Sequence, residues 1–354
     1  MKKYFFIIFI LLDINYSYST VFDFFNTSRF SRPIGMGNSY IGVAEGVETT
    51  FYNSSGLSYI DYYGIAYSYG NGSQFIALGP NPFDFAIVLP YFKKIGGLAF
   101  SAHYLNFEDI NNTNSIYRLH YSHLLANTLS LGTSINYYYQ KVDWAVMGYE
   151  TIKYSHTFDL SISALFLKPN LIFSKNRDVF KVGFQFNNIF GSKVDNPYIE
   201  ISNIERNTDL IQYLGIGFSY QYIFGIEKVH SLIPFSFLVA SDFVFDNSFK
   251  HEKYKFDKLN PNFGFELTVL EIIFFRYGRE NEINLSDVKY TTLQFPVSRF
   301  GFGINVPIHK ISKFKAETNI LFDYGYSQWY HEEEFKNVED RLNSSYCLQI
   351  RLKL

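Results

Sequence analysis

The chain has 354 residues, 20% of them aromatic (39 Phe, 30 Tyr and 2 Trp) and 18% charged, with a formal net charge of −2 and a mean hydropathy of −0.06. A disordered chain has few aromatics and a high net charge, and 23 Gly with 10 Pro fit neither a collagen-like nor a low-complexity chain. With 31 Lys and Arg against 33 Asp and Glu there is no basic surplus to hold nucleic acid, so no nucleic-acid partner is expected.

In chain order, the first feature is an export signal over residues 1–19. Lys2 and Lys3 form a charged start, Phe5 to Leu12 are apolar without interruption, and Ser17-Tyr18-Ser19 offers a small-x-small cleavage site. That apolar run is too short for a spanning helix, which needs roughly 20 residues. Residues 20–59 read differently. Gly and small residues dominate around Gly35, Met36 and Gly37, then around Asn53, Ser54, Ser55, Gly56 and Leu57, and no long alternation occurs. The pattern predicts tight turns and a short helix in a confined space. Gly35-x-Gly37 lacks the third Gly and the βαβ setting of a dinucleotide fingerprint.

From residue 60 to residue 354 the dominant period is two. Leu129, Leu131, Thr133, Ile135 and Tyr137 alternate with Ser130, Gly132, Ser134 and Asn136; Leu214, Ile216, Phe218, Tyr220 and Tyr222 alternate with Gly215, Gly217, Ser219 and Gln221. Lys153–Phe166, Phe235–Phe245, Pro261–Val269, Arg299–Ile308 and Lys315–Ser327 repeat the pattern, and in 344–354 Tyr346, Leu348, Ile350, Leu352 and Leu354 oppose Cys347, Gln349, Arg351 and Lys353. Each such run is a strand with one apolar and one polar face. Between them lie long polar connections (Gly191–Asp209, Asp246–Asn260, Glu280–Lys289, Ser327–Asn343) and short ones (Gly70–Ser73, Leu125–Thr128), as on the two rims of an up-and-down barrel. About fourteen strands fit the length, because a tilted spanning strand takes about 9–11 residues and a similar number remains for each connection.

A soluble sandwich would also alternate. The apolar faces here are longer than the roughly five or six residues of a sandwich strand. Aromatic girdles of a membrane barrel account for the Phe and Tyr excess, and a last strand that reaches the C-terminus can pair with the first and leave no open edge. The fold class predicted is therefore all-β: one transmembrane antiparallel barrel of about 14 strands. Asp159, Lys181, Asp242, Glu266, Glu317, Asp323, Arg351 and Lys353 sit on the polar parity and should face the lumen, either as a mutually paired network or as a substrate site. His123 and His156 fall on the apolar parity, as residues near a membrane interface would. One Cys, Cys347, excludes an internal disulfide. His331-Glu332-Glu333-Glu334 reads as a solvated rim rather than a metal site. No catalytic constellation, cofactor motif or metal spacing emerges.

The run from Arg32 to Leu57 resembles the start of the PorV/PorQ-like family of outer-membrane barrels, related to the long-chain fatty-acid transporter (FadL-type) superfamily. Gly35, Met36 and Gly37, then Val43, Ala44 and Glu45, match its first motif; Asn53, Gly56 and Leu57 match its second, with Ser54 and Ser55 where Pro and Ala are usual. Lys181–Ile189, Asn262–Glu266 with Arg276–Gly278, and Phe322–Ser327 resemble its later strands. The resemblance implies that residues 20–59 form a hatch, or gate, inside the barrel of residues 60–354, in the outer membrane of a diderm bacterium after export. It implies two classes of function: passive uptake of hydrophobic, fatty-acid-like small molecules, or binding of secreted cargo protein as part of a secretion system. A purely structural barrel is a third. Implied partners are outer-membrane lipid and, through the C-terminal strand 344–354, the barrel-assembly machinery.

Overall fold

The structure, a computed structural model, describes residues 30–71, 81–107, 112–143, 152–173, 177–195, 207–224, 235–247, 258–280, 283–284, 297–311, 316–329 and 343–353. The export signal at 1–19, residues 20–29, the acidic run at 331–334 and Leu354 lie outside them.

Among the described residues, fourteen strands build one ring: β1 (Tyr63–Asn71), β2 (Asn81–Val88), β3 (Gly97–Phe107), β4 (Asn112–Ala126), β5 (Leu129–Asp143), β6 (Ile152–Pro169), β7 (Asp178–Asn187), β8 (Tyr213–Phe224), β9 (Phe235–Asp246), β10 (Lys258–Val269), β11 (Ile273–Glu280), β12 (Val297–Pro307), β13 (Glu317–Trp329) and β14 (Asn343–Lys353). Each pairs antiparallel with the next, and β14 returns to β1 with Tyr63 opposite Leu352 and Asn71 opposite Ser344. The ring is closed, so every strand edge is paired. A short ribbon, Lys193–Asp195 with Asn207–Asp209, rises from the connection after β7.

Alternation fixes which face points where. On β4, Tyr117, Leu119 and Tyr121 are exposed while Ile116, Arg118, His120 and Ser122 are buried; on β14, Tyr346, Leu348 and Ile350 are exposed while Ser345, Cys347 and Gln349 are buried. The same division runs round the ring through Tyr154, Phe158, Ile162, Ile216, Phe218 and Phe275. The result is an apolar outer belt around a polar interior, which is the arrangement a bilayer requires of a spanning barrel. His123 and His156 take the outward parity, each beside tyrosine rings.

Strand direction places the long polar connections after β7, β9, β11 and β13 on one rim, here the loop rim. The tight turns after β4 and β10 lie on the other rim, where the chain enters β1 and leaves β14; this is the terminal rim. The expected short connection at Gly70–Ser73 is a correction. β1 continues through Asn71 and β2 begins only at Asn81, so this crossing belongs with the longer ones.

The hydrophobic core is inside the ring. Phe30, Val47, Phe51, Leu57 and Ile60 pack on Ala66, Ala86, Val88, Ala99 and Cys347, and Met36, Tyr40 and Val43 pack on Leu238 and Ala240. Residues 30–60 thus contact inward side chains of strands from around the wall.

Candidate functional site

The inner segment is built from short turns. Ser31–Gly35 is a single helical turn that accommodates Pro33 because first-turn N–H groups need no intrahelical partner. Gly37 and Asn38 then take positive φ (61° and 59°) and reverse the chain. Thr49–Tyr52 forms a second turn, and Ser54–Tyr59 a 3₁₀ helix capped by Asn53, whose Oδ1 accepts from Ser55 N at 3.2 Å. The Asn53 amide also donates to Ile41 O at 2.9 Å and to Ala164 O of β6 at 3.2 Å, joining two turns and the wall. Ser54 Oγ bonds His120 Nδ1 (2.9 Å), whose Nε2 bonds Ser101 Oγ (2.8 Å). Ser55 N donates to Ser163 Oγ and Ser55 O accepts from Ser130 Oγ. Ser54 and Ser55 are therefore tied to the wall, and a proline at 54 would lose the hydroxyl that holds His120.

The wall meets this segment with glycines. A Cβ on Gly264 would lie 2.5 Å from Met36 O, and one on Gly35 2.8 Å from Gly301 Cα. Gly278 faces Gly37, Gly183 faces Ile41, and Gly132 faces Ser55, all too closely for any side chain. Gly56 is pinned against Ala44 O and Thr49, and Leu57 lies wholly buried beside Gly97.

A chain of alternating charge crosses the lumen. Lys181 Nζ of β7 contacts Glu45 Oε1 (2.5 Å), Glu45 Oε2 contacts Arg32 Nη2 (3.1 Å), and Arg32 forks onto Glu266 of β10 (2.8 and 2.9 Å). Glu266 Oε2 accepts from Arg276 Nε of β11 (2.5 Å), and Arg276 Nη1 donates to Asp323 of β13 (2.5 Å). Each buried charge has an opposite neighbour, the condition under which such groups are tolerated at all. Burial alone would raise the Glu45 carboxyl, but Lys181 and Arg32 outweigh it and hold the group at about 2, against an ordinary 4.5. Asp242 of β9 serves the segment differently, accepting from the backbone N–H groups of Tyr40 (2.5 Å), Ile41 (2.6 Å) and Gly42 (3.4 Å).

Of the eight charges expected in the lumen, Lys181, Asp242, Glu266 and Asp323 meet the inner segment or its ion chain. Asp159 is buried but caps the connection after β7 through Phe190 N and Ser192 N. Arg351 stacks over Tyr62 beside Gln349, which donates to Glu48. Glu317 and Lys353 are a correction: they hold the inward parity but sit exposed at the strand ends of the terminal rim, Lys353 pairing with Asp61. Sequence reasoning missed Arg32, Glu45 and Arg276 as members of the chain. Arg276 was findable by the parity rule applied to β11; Arg32 and Glu45 stood in a segment with no period to read.

The inner segment has a cavity on each side. Toward the terminal rim lies one of about 260 Å³, where Arg32, Arg276 and Arg351 stand among Ile223, Phe235 and Phe274. Toward the loop rim lies one of about 100 Å³, lined by Asn38, Tyr52, Gln185, Asn187, Asn260 and Asn262 among others.

No protein-family model and no curated protein matches the sequence. Among solved structures, the chain is similar to a FadL homologue of Pseudomonas aeruginosa (10% identity, 91% of this chain and 98% of that one, TM-score 0.46). It is similar also to the toluene transporter TodX of Pseudomonas putida (9% identity, 93% and 99%, TM-score 0.47) and to CdiB from Acinetobacter baumannii (10% identity, 82% and 60%, TM-score 0.48).

Proposed function

We propose that this protein is an outer-membrane channel for passive uptake of hydrophobic small molecules with a polar head, closed by residues 20–59 acting as a hatch. The observation that carries this reading is the position of residues 30–60 between two cavities that open toward opposite rims. A fourteen-stranded ring is wider than the roughly eight-stranded barrels whose side chains fill their own interior, so the segment is what occludes it. The cavity on the terminal side supports an amphiphilic ligand, since Arg351 and the paired Arg32, Glu266 and Arg276 stand there beside Ile223, Phe235 and Phe274. The outer-membrane setting is supported by the apolar belt, and residues 344–354 would meet the assembly machinery before β14 closes on β1.

Deleting residues 20–59 is expected to leave a folded, heat-resistant barrel with large, nonselective conductance in planar bilayers. Unchanged low conductance would refute the hatch assignment. Cargo binding in the manner of the PorV-like branch is the second reading, favoured by the long polar connections gathered on the rim opposite the start of β1 and the end of β14. Purification from the native membrane separates the two: bound fatty acid or lipid supports uptake, and a stoichiometric secreted protein supports cargo binding.

A further inference from the structure

We propose that the loop-rim cavity is a binding site for a neutral, hydroxyl-rich small molecule such as a sugar or polyol, independently of whether the inner segment moves. Five side-chain amides line it: Asn38, Gln185, Asn187, Asn260 and Asn262. Two of them carry buried acceptors with no hydrogen-bond partner. Asn260 Nδ2 donates to Asp246 Oδ2 at 3.0 Å, which fixes the orientation of that amide and leaves its buried Oδ1 without a hydrogen bond. Asn262 is only 4% exposed, and its Oδ1 is likewise buried and unpartnered. Buried acceptors of this kind call for donors, and converging hydroxyls supply them.

Charge selects against other ligand classes. Among the described lining residues the one acidic side chain, Glu280, is already engaged by Arg299 and by Asn38 Nδ2 at 3.0 Å, so it is not free to hold a cation. An apolar ligand would strand the amides away from water, which costs more than its own burial returns. Phe51 and Tyr52, on the inner segment, add an aromatic surface for the C–H face of a ring. A second, adjoining cavity of only about 10 Å³ shares both aromatics with Gln185 and Asn187 and is lined also by Ser134, Ser161, Tyr138 and Arg118.

The test is saturation-transfer NMR on the full chain in amine-oxide micelles, with methyl α-glucoside as the probe. Wild type is expected to show saturable binding in the millimolar range. Asn262→Leu should weaken it at least about tenfold, while Asn262→Asp, which keeps shape and acceptor oxygens, should stay within about threefold. Asn305→Leu, on the opposite cavity, should change nothing. If Asn262→Leu loses the heat-modifiable mobility of a folded barrel, the smaller Asn262→Ser carries the comparison. The proposal is overturned by no saturable signal up to about 100 mM, by equal affinity in wild type and Asn262→Leu, or by displacement of the probe by octanoate or tetramethylammonium at matching concentration.

Discussion

Arg32 is the hinge of the charge chain, because among the described residues it bridges Glu45 of the inner segment and Glu266 of β10. Removing one member of a buried pair costs about 3–5 kcal/mol when the partner is stranded. Here Glu266 keeps Arg276 and Glu45 keeps Lys181, so Arg32→Ala is expected near the lower end, about 3 kcal/mol, read as a lower denaturation midpoint of the barrel in micelles. Exchanging the charges, Arg32→Glu with Glu266→Arg, should recover part of that loss; recovery of none would show that shape rather than charge holds the contact. Glu45 gives a pH prediction. Its folded value of about 2 lies below the ordinary 4.5, so its contribution is fully present above 4.5 and is lost only as pH falls toward 2. Bilayer conductance should therefore be equally low at pH 7 and pH 5 in wild type and raised at both in Glu45→Gln. A Glu45→Gln protein as closed as wild type would remove Glu45 from the closure.

The strands are where the sequence was most legible. Parity placed Leu131, Ile135, Phe218 and Leu348 outside and Ser130, Ser134, Ser219 and Gln349 inside, because a period of two has only two outcomes and lipid tolerates one of them. The inner segment was legible only as confinement. Its contacts join Ile41 to Gly183 and Ser55 to Ser163, pairings separated by more than a hundred residues that no local rule could supply. The glycines of β7, β10 and β11 carry the missing signal: in a strand an inward glycine marks another backbone approaching closely. Gly278→Val tests this at the scale of one strand. Val suits a β-strand, so its cost should come only from Gly37 and Met36, about 1–3 kcal/mol of overpacking with raised conductance. In a barrel already lacking residues 20–59 the same substitution should be neutral. A penalty that persists there would mean the glycine serves the strand itself.

At the scale of the whole molecule, a hydropathy near zero conceals a membrane protein because outer and inner faces cancel in the average. The belt holds many of the Phe and Tyr, while the interior is given to serines, amides and paired charges, much of it devoted to seating one segment of chain. That interior polarity was readable from parity; its division into two cavities of different chemistry was not, since it depends on how deep the segment sits.

The closure of β14 onto β1 has a consequence for how such a molecule could open. Ser31 bonds Ser345 and Gln349 bonds Glu48 on one side of that joint, while Val47 packs against Gly64 on the other. The inner segment is thus stitched across the seam where β14 meets β1. For the proposed hatch, pulling the segment out whole would unpick that seam, so opening would call for a local flexing with the stitches left in place.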